Sequence, residues 1–149
     1  RICKLAADAK KPILADFRGE ELMQTLKICT PQIIKINEQE YEQTFTNGLL
    51  LSDEELTNAV VTKSAELKNI VIVTRGKKDT IAAQNGILFR CPAEKLTAPV
   101  NTTACGDAFA AGFLHEYLQN NNMEQSLKAG THCAALNAQT VVPGSIKIQ

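Results

Sequence analysis

The spacing of hydrophobic and polar positions changes period several times along the chain, and each change marks an element. Residues 1–10 place Ile2, Leu5, Ala6 and Ala9 at helical spacing, and Pro12, which has no N–H and a fixed φ, bars continuation. "ILADF" (13–17) is short, mostly apolar and followed by Arg18-Gly19, the pattern of a buried parallel strand and its turn. Helical period returns in "GEELMQTLKI" (19–28) through Leu22 and Leu26, and Thr30-Pro31 stops it. "QIIKIN" (32–37) predicts a second strand, ending at Asn37. "EQEYEQTF" (38–45) predicts a helix, and Ser52 before Asp53-Glu54-Glu55 predicts an N-cap with acids in the first turn of a longer helix to about Leu67.

"NIVIVT" (69–74) reads most plainly as a buried strand. The runs 79–84 and 86–91 flank Asn85-Gly86, the dipeptide that favours a tight hairpin, so the predicted sheet is mixed. Two helices close the chain, 104–120 and 123–139, separated by Asn120-Asn121-Asn122, with "VVPGS" ending the second. Strand and helix alternate, which predicts an α/β architecture: a mostly parallel sheet with helices on both faces. Ligands of such sheets bind beyond the carboxyl ends of the strands, where the segments after Lys35, Val73 and Val100 are expected.

Composition narrows the class. At 149 residues and 44% hydrophobic, the chain has material for one domain with a real core. Sixteen basic and sixteen acidic residues cancel, leaving no electrostatic footprint for nucleic acid or an anionic membrane. No apolar stretch approaches the ~20 residues that span a bilayer. "RICKLAADAKK" lacks the apolar core of a signal peptide, and a soluble, cytoplasmic protein is expected. The cysteines (Cys3, Cys29, Cys91, Cys105, Cys133) are odd in number with no C-x-x-C pair, which speaks for reduced core thiols over disulfides or zinc. The chain opens at Arg1 inside a helical pattern, without Met or N-cap, as a piece of a longer protein would.

"VNTTACGDAFAAGFL" (100–114) carries the chemistry. Ala104, Cys105 and Gly106 are small, and the first N–H groups of a helix beginning there have no intrahelical partner, so together they make an anion site. Asp107 in the first turn, beside that anion rather than within it, can take a proton from a hydroxyl attacking a phosphoryl group. The alternative is an acid near a helix N-terminus with a small-residue face, Ala104, Ala108, Ala111 and Gly112, packed on a neighbour.

The same segment resembles the C-terminal signature of the ribokinase-like (phosphofructokinase B-type) carbohydrate kinases, in which Asp-Thr-x-Gly-Ala-Gly-Asp forms an anion hole and supplies the catalytic base. The resemblance implies Asp107 as base, with Ala104, Cys105 and Gly106 in the hole. "KINEQE" resembles the family's Asn-x-x-Glu element, implying Asn37 and Glu40 near magnesium and phosphates. "VTRGKKD" resembles its Thr-x-Gly-x-x-Gly nucleotide loop, implying Thr74 and Gly76 as phosphate contacts. "ILADFRGEELMQTLKICTPQIIKINEQE" is similar to the 1-phosphofructokinase and tagatose-6-phosphate kinase branch. Thr131 and Asn137 on the last helix are implied at the border of the adenine pocket, with a packed or solvent-facing polar residue as the alternative.

Asn101, Ala104-Cys105, Asp79 and Ile36 depart from the family's usual residues. The implied function is ATP-dependent phosphorylation of a sugar or sugar-phosphate hydroxyl, with ATP and Mg2+ as cofactors. The chain would be the C-terminal, nucleotide-binding and base-bearing portion of such a kinase, the sugar-binding and lid portion lying upstream. A homodimer of the full-length protein stays open. So does a non-catalytic nucleotide- or sugar-sensing module derived from such a kinase. A Rossmann-type dehydrogenase is set aside for want of G-x-G-x-x-G after an early strand. His115 and His132 read as structural, and Asp16 with Arg18 reads as a turn salt link or a cleft-facing pair.

Overall fold

In the computed structural model, which describes residues 2–96 and 99–146, helices and strands alternate. The elements are α1 (Ile2–Asp8), β1 (Leu14–Ala15), α2 (Gly19–Leu26), β2 (Ile33–Asn37), α3 (Glu38–Phe45), α4 (Asp53–Leu67), β3 (Ile70–Thr74), β4 (Thr80–Gln84), β5 (Ile87–Cys91), α5 (Cys105–Asn120) and α6 (Met123–Ala138). The chain divides into two compact units, Arg1–Arg75 with Ile81–Arg90, and Gly76–Thr80 with Cys91–Gln149.

The five strands form one mixed sheet in the order β1-β2-β3-β4-β5. β1, β2 and β3 run parallel, and β4 returns antiparallel to β3, with Val73 opposite Ile81. Residues 33–36 of β2 and 70–73 of β3 are buried at every position, so both faces of these strands are covered, as in parallel sheets. Asn85 (φ 51) and Gly86 (φ 84) join β4 to β5, both in the left-handed conformation that a two-residue hairpin requires.

In the first unit, Ile34, Ile36, Val71 and Val73 of the sheet close a core with Leu22 of α2, Tyr41 of α3, and Leu56 and Val60 of α4. Burial lifts the Tyr41 hydroxyl well above the ordinary tyrosine range. α1 buries none of its residues: Ile2 and Leu5, which supply its apolar spacing, stand exposed. β1 is shorter than the predicted 13–17, because only Leu14 and Ala15 find partners in β2. The predicted first residue of α1 lies outside the described residues.

In the second unit, α5 and α6 pack on each other through glycines. A Cβ at Gly112 would stand 2.6 Å from Cys133 Sγ and 2.7 Å from the Ala129 carbonyl oxygen. One at Gly130 would stand 2.9 Å from the Phe109 carbonyl oxygen. These helices approach closely because Gly112 and Gly130 present no side chain to the Cys133 side chain and the Phe109 ring and backbone opposite them. Of the predicted small-residue face, Gly112 packs on α6, while Ala111 stands exposed. All five cysteines are free thiols, but only Cys91 is buried. The expectation of mostly core thiols is corrected: Cys3, Cys29, Cys105 and Cys133 sit half-buried at element ends and helix faces.

Candidate active site

In the second unit, a short loop and the first turn of α5 bring the residues of 101–107 together. Ala104 is the N-cap of α5 and adopts the left-handed conformation, φ 58 and ψ 15. It offers no side-chain cap to the helix. The Cys105 N–H donates to the Thr102 carbonyl oxygen at 3.3 Å, and Ala108 N–H donates to that of Ala104 at 2.9 Å. Among the described residues no acceptor meets the N–H groups of Ala104, Gly106 or Asp107. Asp107 itself is exposed in that turn, its carboxylate facing outward and not into the core.

The loop is shaped by the end of α6. The N–H groups of Val100 and Asn101 both donate to the Ala138 carbonyl oxygen, at 2.7 and 3.1 Å. Asn101 Oδ1 accepts from Thr103 N–H at 2.9 Å while its Nδ2 donates to the Val141 carbonyl oxygen at 3.2 Å. An aspartate could make the first of these bonds and not the second, which gives Asn101 a local reason. Asn137 is 1% exposed and its amide is fully engaged. Nδ2 donates to the Thr103 carbonyl oxygen at 2.8 Å and to Cys105 Sγ at 3.4 Å, and Oδ1 accepts from Gly144 N–H at 2.8 Å. Asn137 therefore touches the loop from a buried position, its Nδ2 donating and its Oδ1 accepting within the protein. Half-buried Thr131 sets its hydroxyl 3.4 Å from Cys91 Sγ.

In the first unit, β2 and β3 end side by side, with Asn37 in register with Thr74. Asn37 caps α3 in a capping box: its side chain accepts from Glu40 N–H at 2.9 Å, and Glu40 Oε2 accepts from Asn37 N–H at 2.9 Å. Glu40 Oε1 accepts from Arg18 at 2.8 Å. Each oxygen keeps a lone pair, and these hard donors fit magnesium through its retained waters. Direct ligation fits less well, since Arg18 neutralises the carboxylate and, among the described residues, no cluster of three or more His, Cys, Asp or Glu could hold a metal.

Thr74 is half-buried at the end of β3, and Gly76 follows in the chain at φ 62 with open space where a Cβ would stand. Asp79, the departure from this loop's pattern, is half-buried and partnered. Between Thr74 and Gly76 lies Arg75, whose side chain is only 3% exposed. It donates to Asp53 Oδ1 at 2.5 Å and lies 3.3 Å from Glu38. Asp53 Oδ2 accepts from Arg90 at 2.7 Å. Hydrogen bonds from Arg90 and then Arg75 hold the Asp53 carboxyl below its ordinary value.

Sequence reasoning missed Arg75, and it missed the pairing of buried Lys35 with Asp16 at 2.8 Å. Asp16 and Arg18 are not joined to each other as a turn salt link: Asp16 meets Lys35 and Arg18 meets Glu40. His132, read from the sequence as structural, lies 2.9 Å from Glu94 on the surface. The Asn37 capping box did leave a signal, an Asn three residues before a Glu at a helix start.

A mixed five-stranded sheet, with strands and helices interspersed along the chain, defines an α/β class. Residues 1–147 match the pfkB family of carbohydrate kinases, and the chain belongs to that family. It is 27% identical to adenosine kinase of Saccharomyces cerevisiae over 156 aligned residues, 95% of this chain and 46% of that protein. It is 35% identical to fructoselysine 6-kinase of Escherichia coli over 81 residues, 54% of this chain and 30% of that protein. The fold superposes on Arabidopsis thaliana ribokinase, solved with ribose and ATP, with a TM-score of 0.78 at 24% identity, covering 93% of this chain and 45% of that one. Schistosoma mansoni adenosine kinase with 2-fluoroadenosine gives 0.75 at 22% identity, covering 93% and 45%. The chain thus spans less than half the length of these relatives.

Proposed function

We propose that the protein transfers the γ-phosphoryl group of ATP to a hydroxyl of a sugar-like acceptor, with Asp107 as general base. One observation carries the reading: an exposed carboxylate stands in the same helical turn as backbone N–H groups that meet no acceptor among the described residues. The bond from the γ-phosphorus to the bridging oxygen of ADP breaks and the acceptor oxygen bonds to phosphorus. The acceptor's proton passes to the Asp107 carboxylate. Little covalent work falls to the protein in such a transfer, so fixed donors aimed at the migrating oxygens matter most. Ala104, Gly106 and Asp107 supply them as main-chain amides, Cys105 lies between, and the dipole of α5 adds to their pull.

Thr74 and Gly76 serve the remaining phosphates: the glycine's bare face lets a polyphosphate approach the backbone. Asn37 and Glu40 would hold magnesium, which when bound would neutralise phosphate charge. Thr131 borders the nucleotide, while Asn137 serves the loop. Sugar-dependent release of ADP by the protein in its natural full-length form tests the proposal. Asp107→Asn is expected to lower kcat at least ~10²-fold, the usual worth of a general base. Undiminished turnover in that variant removes Asp107 from the role. Nucleotide binding without turnover on a broad panel of sugars and nucleosides would instead mark a sensing module.

A further inference from the structure

We infer that Asn137 is a positioning residue that turns one main-chain donor, the Ala104 N–H, into the anion hole. The inference rests on the phosphotransfer reading above. In a trans peptide the C=O and the following N–H point in opposite directions within one plane. All described peptide bonds are trans. Asn137 Nδ2 holds the Thr103 carbonyl oxygen at 2.8 Å from the buried side, so the Ala104 N–H of the same peptide is directed away from Asn137. There it meets no acceptor among the described residues.

The hold has an opponent. Ala104 sits at φ 58, where an L-residue's Cβ crowds its own backbone. Turning the Thr103–Ala104 peptide over would carry φ of Ala104 toward negative values and relieve that crowding. It would also present a carbonyl oxygen where the hole needs an N–H. The family pattern places Gly at this position, and Gly is nearly indifferent between the two peptide orientations. With Ala at 104, the orientation depends on what grips the Thr103 oxygen, and Asn137 is the side chain that does so. Its second donor contact, to Cys105 Sγ, and the Gly144 N–H on its Oδ1 keep the amide from rotating away.

Asn137→Asp tests this with almost no change of shape. Above the pKa of the introduced carboxyl, an oxygen faces the Thr103 oxygen and cannot donate. The peptide is expected to turn over in a crystal structure of the variant at alkaline pH. In the full-length protein kcat is expected to fall about 10²- to 10³-fold, as on removal of one oxyanion-type donor, with KM for ATP changed by no more than about threefold. As pH falls and the carboxyl protonates, it donates again, so the variant-to-wild-type ratio of kcat is expected to rise. Adding Ala104→Gly to Asn137→Asp is expected to recover part of the loss, which a merely weakened fold would not do. A Thr103–Ala104 peptide oriented as in the parent, or a turned peptide with unchanged kcat, overturns the inference. Failure of Asp107→Asn to slow turnover strikes the base assignment instead and leaves the peptide's orientation as a separate result.

Discussion

At residue 104 a side chain occupies a conformation that crowds it. Left-handed backbone costs a non-glycine residue about 1–2 kcal/mol, and Ala104 at φ 58 bears that cost in the turn that opens α5. Ala104→Gly should therefore raise stability by about 1 kcal/mol, less the chain entropy that glycine brings to the unfolded state. A shift of the urea midpoint at unchanged m would show it; a lower midpoint would mean that Ala104 is not strained. The sequence displays Ala where the family pattern has Gly, and it does not display φ. Asn101 is similar: its departure from Asp is visible, yet its bond to the Val141 oxygen depends on where the end of α6 lies. Asn137 was legible as a polar residue near the site. Its grip on Thr103, 34 residues away, leaves no mark in spacing.

Helices are positioned by their first turns and by what they exclude at contacts. Ser52 Oγ accepts from Glu55 N–H at 3.3 Å and Glu55 Oε2 accepts from Ser52 N–H at 2.8 Å. Ser52→Ala should cost about 1 kcal/mol. The Ser52 N–H holds the Glu55 carboxyl below its ordinary value, as Arg90 and Arg75 hold that of Asp53. Both folded-state pKa values lie below the unfolded ones, so this stabilisation is present above the ordinary carboxyl values of 4.5 for Glu55 and 3.8 for Asp53 and is lost as pH falls through the folded values. The double variant Asp53→Asn, Glu55→Gln should lose less stability than wild type between about pH 5 and about pH 3; an equal loss in both would contradict this. At the α5–α6 contact, Gly112→Ala should cost about 1–3 kcal/mol in thermal or urea unfolding, because its Cβ would press on Cys133 Sγ and the Ala129 oxygen. A neutral Gly112→Ala would show that the helices can part without loss. α3 and α4 coincide with their predicted spans, since caps and periodicity agree there. β1 fell short because strand length depends on the partner strand. The pin between Arg75 and Asp53 joins positions 22 apart and could not be read from either local pattern.

For the whole molecule, alternation of strand and helix was enough to reach the α/β class, and the three motifs in order pointed to the family to which the chain belongs. Charge distribution did less. A formal net charge of zero offers no long-range attraction for an anionic ligand. The chain spans less than half the length of its relatives. The 149 residues alone are accordingly expected to show no sugar-dependent ADP release, and robust turnover by them would mean that the acceptor site lies within this span. No helix among the described residues is long and apolar enough to cross a membrane. The most direct measurement is a crystal structure of the full-length protein with ADP and aluminium fluoride. The account predicts the fluoride group on the N–H groups of Ala104, Gly106 and Asp107, with the Asp107 carboxylate beside the attacking position. Fluoride bound elsewhere, with those amides facing only water, would contradict it.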